Sequence, residues 1–245
     1  MTTPIEIGFA IGGDPGAALA RLPGAAATTT HDLWFGAPAR DATDPLALAA
    51  GGIAIRLRGG PADDLVVDLL PCPPARLVGR WAAPFVDGDL EYRVEGAWRG
   101  SRRELAASAV SHRPAGAIRA AVAAGGDVTE LLSPAQRRFL VTCTPPGATV
   151  DRLRAVGPLA CARLTGIRLA GCEIGAERWT GAGCDLLELA TRVTPMPGEP
   201  AWALHSRARG VQRRCEEALR ERGLAPGTVT DRTAHVLRAL LVRDG

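Results

Sequence analysis

A period-two alternation of apolar and polar residues returns in short runs along most of this chain, and it constrains the fold more than any other feature. Ile5, Ile7, Phe9 and Ile11 share one face of a run whose other face carries Glu6, Gly8 and Ala10, the pattern of a half-buried β-strand. Residues 53–58 alternate again and place Arg56 and Arg58 together. Residues 90–95 set Glu91, Arg93 and Glu95 on one face, and residues 186–193 set Glu188, Ala190 and Arg192 on one face. Shorter apolar runs at 32–35 and 65–70 read as two more strands. A single strand of this kind ordinarily turns its charges to water. Where several strands carry mixed acids and arginines, a sheet closed on itself turns those faces inward and lines a wet tunnel.

Helical signals fill the gaps. Residues 114–124 end at Gly125-Gly126, a C-terminal stop. Ser133 is placed as an N-cap with Pro134 at the first helical position, opening a helix through residue 143. The longest predicted helix covers 200–222, with Leu204, Ala208, Val211, Cys215 and Leu219 on one stripe and a stop at Gly223. Thr230 is read as the cap of a last helix reaching about Val242.

Composition narrows the function classes. The 245 residues suffice for one domain spanning 1–245. A net charge of +3 gives no broad basic field, so nucleic acid is not expected as a partner. Apolar runs break well short of the roughly 18 residues that a spanning helix needs, so no membrane is expected either. The opening Met1-Thr-Thr-Pro-Ile-Glu has no basic or apolar leader character, and a cytoplasmic location is the expectation. Cys72, Cys143, Cys161, Cys172, Cys184 and Cys215 form no Cys-x-x-Cys pair, and the four histidines show no ligand spacing. Buried reduced thiols are expected. All 29 basic residues are Arg, so chemistry that needs a lysine amine is excluded.

The order of the segments resembles the CYTH, or triphosphate-tunnel metalloenzyme, superfamily, which includes thiamine triphosphatases and class IV adenylyl cyclases. Its opening Glu-x-Glu-x-Lys strand is matched by Glu6-Ile-Gly-Phe-Ala10, and its Tyr-Phe-Asp-Thr-Pro-like segment by Trp34-Phe-Gly-Ala-Pro38. Its Gly-Ile-Ala-Leu-Arg-x-Arg strand is matched by Gly52-Ile-Ala-Ile-Arg-Leu-Arg58, the most specific piece. Leu187-Glu-Leu189 and Thr230-Asp-Arg-Thr233 follow in order. The resemblance implies an α+β fold: an antiparallel eight-stranded β-barrel with helices packed outside. It implies Glu6 and Glu188 as catalytic acids, and Glu6, Glu91 and Glu188 as ligands of Mg²⁺ or Mn²⁺. Arg56, Arg58, Arg93, Arg192 and Arg232 would hold the phosphates, because acids bind hard cations and guanidinium groups fork onto phosphate oxygens.

The departures from the pattern shape the functional expectation. The second Glu of the opening signature is Gly8, its Lys is Ala10, the Asp of the aromatic segment is Gly36, and a Lys of the next strand corresponds to Asp68. Gly8, Ala10, Gly36, Val66 and Leu70 are expected to give one small, apolar tunnel wall that suits a phosphate or diphosphate ester with an apolar body, such as a prenyl diphosphate. Three functions stay open. The first is metal-assisted hydrolysis, lyase or cyclase chemistry on such an ester. The others are an ordinary triphosphatase and a non-catalytic barrel that binds an anionic metabolite.

Overall fold

A computed structural model describes residues 2–145, 150–227 and 232–244. Ten strands run β1 (Ile5–Ile11), β2 (Ala27–Pro38), β3 (Ile53–Gly59), β4 (Asp63–Leu69), β5 (Phe85–Asp87), β6 (Leu90–Arg99), β7 (Arg102–Arg113), β8 (Leu153–Leu169), β9 (Cys172–Gly181) and β10 (Cys184–Val193). The helices are α1 (Pro15–Ala20), α2 (Ala47–Ala50), α3 (Ala117–Ala123), α4 (Val128–Leu131), α5 (Pro134–Cys143), α6 (Ala201–Glu221) and α7 (Arg232–Asp244). The expected cap residue Thr230 lies outside the described residues.

The sheet order is β1-β10-β9-β8-β2-β3-β4-β7-β6-β5, and β1 also pairs with β6. Nine strands therefore close a ring, and β5 hangs from β6 beside it. The barrel expected from the sequence is present, but it is neither eight-stranded nor wholly antiparallel. Strand directions cannot alternate all the way around an odd ring, so one neighbour pair must be parallel. That pair is β1–β6, with Glu6 opposite Ala97 and Gly8 opposite Arg99.

Alternation sorts the two faces. Ile5, Ile7 and Phe9 pack outward with Leu187, Leu189 and the α6 stripe of Leu204, Ala208, Val211, Cys215 and Leu219. Ile53, Ile55, Leu57, Leu65 and Val67 pack outward beneath α3, α4 and α5. Gln136 of α5 is fully buried, and its amide donates to the carbonyls of Leu65 (2.8 Å) and Ala109 (2.9 Å), fastening this helix across β4 and β7.

The helix α7 differs from the helices packed outside. Its Ala234, Val236, Leu237 and Leu240 cluster with Leu33, Phe35, Leu159, Cys161 and Trp179. Register puts Leu33 opposite Arg58 and Phe35 opposite Arg56, so these apolar residues belong to the tunnel face and α7 covers part of it. No helix among the described residues is long and apolar enough to cross a membrane.

Candidate functional site

The register gathers the charged faces of β1, β3, β4, β6, β9 and β10 around the tunnel. Arg56 lies two residues from Arg58 on β3, with Phe35 and Val66 as its cross-strand neighbours. On β4, Asp64 and Asp68 share that inward face. Arg56 Nε donates to Asp68 Oδ2 at 2.8 Å, and Ser108 Oγ donates to the other Asp68 oxygen at 2.6 Å. Asp68, standing where the resemblance places a Lys, therefore anchors a tunnel arginine.

Arg58 is held more loosely. Its Nε approaches Asp64 Oδ1 at 3.1 Å, but both atoms are buried without a well-formed hydrogen bond. Burial, and next the neighbouring Arg56, hold its pKa below the ordinary guanidinium value. The Arg58 side chain is 15% exposed, and its Nε is among the fully buried atoms. Among the described residues it makes no hydrogen bond. Arg58 thus has an acid within ion-pair distance, but its buried Nε has no well-formed hydrogen bond.

The predicted acids Glu6 and Glu188 do come together, through a residue the sequence reading did not single out. Arg99 ends β6 and extends its side chain over β1. Its NH2 meets Glu6 Oε1 at 2.8 Å and its Nε meets Glu188 Oε1 at 2.9 Å. A Cβ on Gly8 would lie 2.4 Å from Arg99 Nε, so the space vacated at position 8 is filled by this guanidinium. Arg232 then joins Glu188 (2.6 Å) to Glu177 (3.6 Å), with its guanidinium 3.6 Å from the Trp179 ring centroid, a cation–π distance.

Glu177, absent from the predicted site, is the acid most surrounded by arginines. Burial pushes its carboxyl up, but Arg232, Arg56, Arg58 and Arg163 outweigh burial and hold it below the usual carboxylate value. The signal was available in the alternation of Glu173, Gly175 and Glu177 along β9. Because its folded pKa is lowered, Glu177 stabilises the fold above its unfolded value of about 4.3 and loses that contribution as pH falls through the folded value. Glu177→Gln is therefore expected to lower stability by roughly 2–3 kcal/mol near neutrality, somewhat less than removal of a fully buried partner costs. The difference from wild type should shrink below about pH 4. Urea unfolding at neutral and acid pH checks this; a pH-independent difference would contradict it.

The remaining predicted residues are committed to local pairs. Arg93 grips Glu91 with two bonds of 2.6 Å, and these bonds lower the Glu91 pKa. Arg192 reaches Glu95 at 2.9 Å. Glu95 is pushed up by burial and by nearby Glu6. Arg93 and Arg192 also border a surface cavity of about 280 Å³ lined by Pro4, Pro84, Phe85 and Val86.

Of the acids expected as metal ligands, Glu6 and Glu188 both meet Arg99, whereas Glu91 stands apart with Arg93. No group of three His, Cys, Asp or Glu among the described residues is arranged to hold a metal ion. The small apolar wall is also absent. Arg99 covers Gly8, Gly36 faces outward with its Cβ position 3.2 Å from Ile55 Cβ, and Leu70 is 37% exposed beyond β4. Only Ala10 and Val66 of that set line the tunnel, on strands that do not pair.

No family model matches the chain, and no curated protein sequence matches it. Among solved structures, it is similar to a candidate adenylyl cyclase from Hippeastrum described as having a dominant triphosphatase activity. The two share 13% identity over 97% of this chain and 96% of the other, with a TM-score of 0.54. A candidate adenylate cyclase from Bacillus halodurans (10% identity, 96% and 97% covered, TM-score 0.49) and a Pyrococcus horikoshii protein (10%, 96% and 98%, 0.45) are more distant in shape. The chain thus shares the fold of the Hippeastrum protein, in line with the resemblance carried by residues 52–58.

Proposed function

We propose that this chain is a divergent CYTH-type barrel that binds the phosphate or diphosphate group of a small organic ester at Arg56 and Arg58. The observation that carries this reading is Arg58: a guanidinium beside a second one, whose buried Nε lies 3.1 Å from Asp64 without a well-formed hydrogen bond to any described residue. An anion placed there would supply hydrogen bonds that Arg58 does not make among the described residues, and charge-assisted bonds of this kind are the stronger ones.

The pairing of the other arginines bears on ligand class. Arg56, Arg93, Arg99, Arg192 and Arg232 each face at least one carboxylate, and Arg58 lies 3.1 Å from Asp64 without a well-formed bond, so a triphosphate chain would have to compete with built-in acids for most of its cations. A mono- or diphosphate ester asks for fewer.

Calorimetric titration of inorganic triphosphate, pyrophosphate and a prenyl diphosphate into wild type and Arg58→Met tests the reading. Loss of one charged donor worth roughly 1.5–3 kcal/mol should weaken the best ligand by roughly 10- to 100-fold. Unchanged affinity in Arg58→Met, or strongest binding by inorganic triphosphate, would overturn it.

Metal-assisted hydrolysis or diphosphate elimination is the second reading. It is favoured by the meeting of Glu6 and Glu188 at one point of the tunnel, and it requires Arg99 to leave that point. Magnesium-dependent release of phosphate or diphosphate by wild type, lost in Glu188→Gln, would support it over the binding reading.

A further inference from the structure

We propose that Arg99 is a resident cation that holds Glu6 and Glu188 together in place of a divalent metal, making this barrel's acid cluster metal-independent. Two carboxylates from neighbouring strands point at one guanidinium. Glu6 Oε1 lies 2.8 Å from NH2 and Glu188 Oε1 lies 2.9 Å from Nε. Those are hydrogen-bond separations. A magnesium ion needs oxygens at about 2.0–2.1 Å in a near-octahedral shell, so the ion and this side chain cannot share the place.

The sequence is arranged around the occupant. Arg99 and Gly8 face each other in the β1–β6 pairing that closes the ring. Any side chain at position 8 would meet Nε, Cζ and Cδ of Arg99 at 2.4–2.7 Å. The missing acid at position 8 and the presence of Arg99 are thus one structural change: removing the carboxylate makes room for the guanidinium. A third bond, from NH1 to the Trp98 carbonyl at 3.2 Å, fixes the side chain at its base. Arg232 adds a second guanidinium to Glu188 from α7, so this carboxylate has both oxygens engaged.

The inference does not depend on the ligand proposed above, because it is read by metal binding to the full-length protein with no ligand present. Titrate Mn²⁺ and follow the free ion by electron paramagnetic resonance, for wild type, Arg99→Ala, Arg99→Gln and Arg99→Lys, each checked for native circular dichroism. Wild type and Arg99→Lys should show no saturable Mn²⁺ binding up to millimolar concentration. A folded Arg99→Ala or Arg99→Gln should gain a saturable site that is lost again when Glu188→Gln is added. Saturable binding by wild type that disappears in Glu6→Gln or Glu188→Gln would overturn the proposal without reference to the Arg99 variants. Failure of both neutral Arg99 variants, when folded, to gain any metal affinity would also overturn it. If neither neutral variant folds, the wild-type titration and its Glu6→Gln and Glu188→Gln controls decide the matter.

Discussion

Glu188→Ala is expected to lower the unfolding free energy by about 3–5 kcal/mol, the usual cost of removing one partner from a buried ion pair. Glu188 is 15% exposed and binds Arg99 at 2.9 Å and Arg232 at 2.6 Å. Its loss removes the carboxylate shared by two guanidiniums, leaving Arg99 with Glu6 and Arg232 with the more distant Glu177. A carboxylate kept only for catalysis would behave differently, because its removal would abolish turnover and leave stability unchanged. Urea unfolding of wild type and Glu188→Ala separates the two roles. A change below about 1 kcal/mol, within the range of exposed pairs, would mean that the pairing contributes little to the fold.

A loss of similar size is expected on the outer face. The chain has only one Tyr, four Phe and five Trp, and four of these aromatic residues stack at one place. Trp81, Phe85, Tyr92 and Phe139 meet with ring centroids 5.0–5.4 Å apart, and the Tyr92 hydroxyl donates to the Trp81 carbonyl at 2.7 Å. Phe139 is fully buried where α5 presses on this group. Phe139→Ala should cost about 3–5 kcal/mol through lost transfer energy and the cavity left behind. Because it sits on the outward face, ligand affinity measured below the unfolding transition should not change. A change in affinity without a stability loss would contradict the division of the barrel into an apolar outside and a charged inside.

The parts of this architecture that rest on local alternation were legible in the sequence. The inward set of Glu6, Arg56, Arg58, Glu188 and Arg192 follows from period-two spacing, and α5 follows from Ser133 and Pro134; Gln136, not singled out in the sequence, completes a capping box with Ser133. The strand β8 was hidden because its Gly157-Pro158 step argues against a strand. It falls where the register with β2 slips between Leu33 and Phe35, a bulge that leaves Pro158 without a ladder donor to supply. β7 was hidden by its run of small residues, Ala106, Ala107 and Ala109. The site was less legible than the fold. Which acid meets which arginine depends on ring closure between β1 and β6, and Glu6 is 93 residues from Arg99 in the chain. No local pattern encodes that meeting. Gly36 misled for a related reason: a residue's face in the barrel depends on its register, and here it turns toward Ile55 rather than into the tunnel.

The account centres on an anion site at Arg56 and Arg58 within a tunnel whose other charges are paired. The most direct test is a crystal structure of the full chain with a prenyl diphosphate, grown in the presence of a metal chelator. The account predicts phosphate oxygens within hydrogen-bond distance of the Arg58 amino groups, with the Arg99 bonds to Glu6 and Glu188 intact. A diphosphate bound away from Arg56 and Arg58, or bound only when magnesium is restored and Arg99 has swung off both carboxylates, would contradict it.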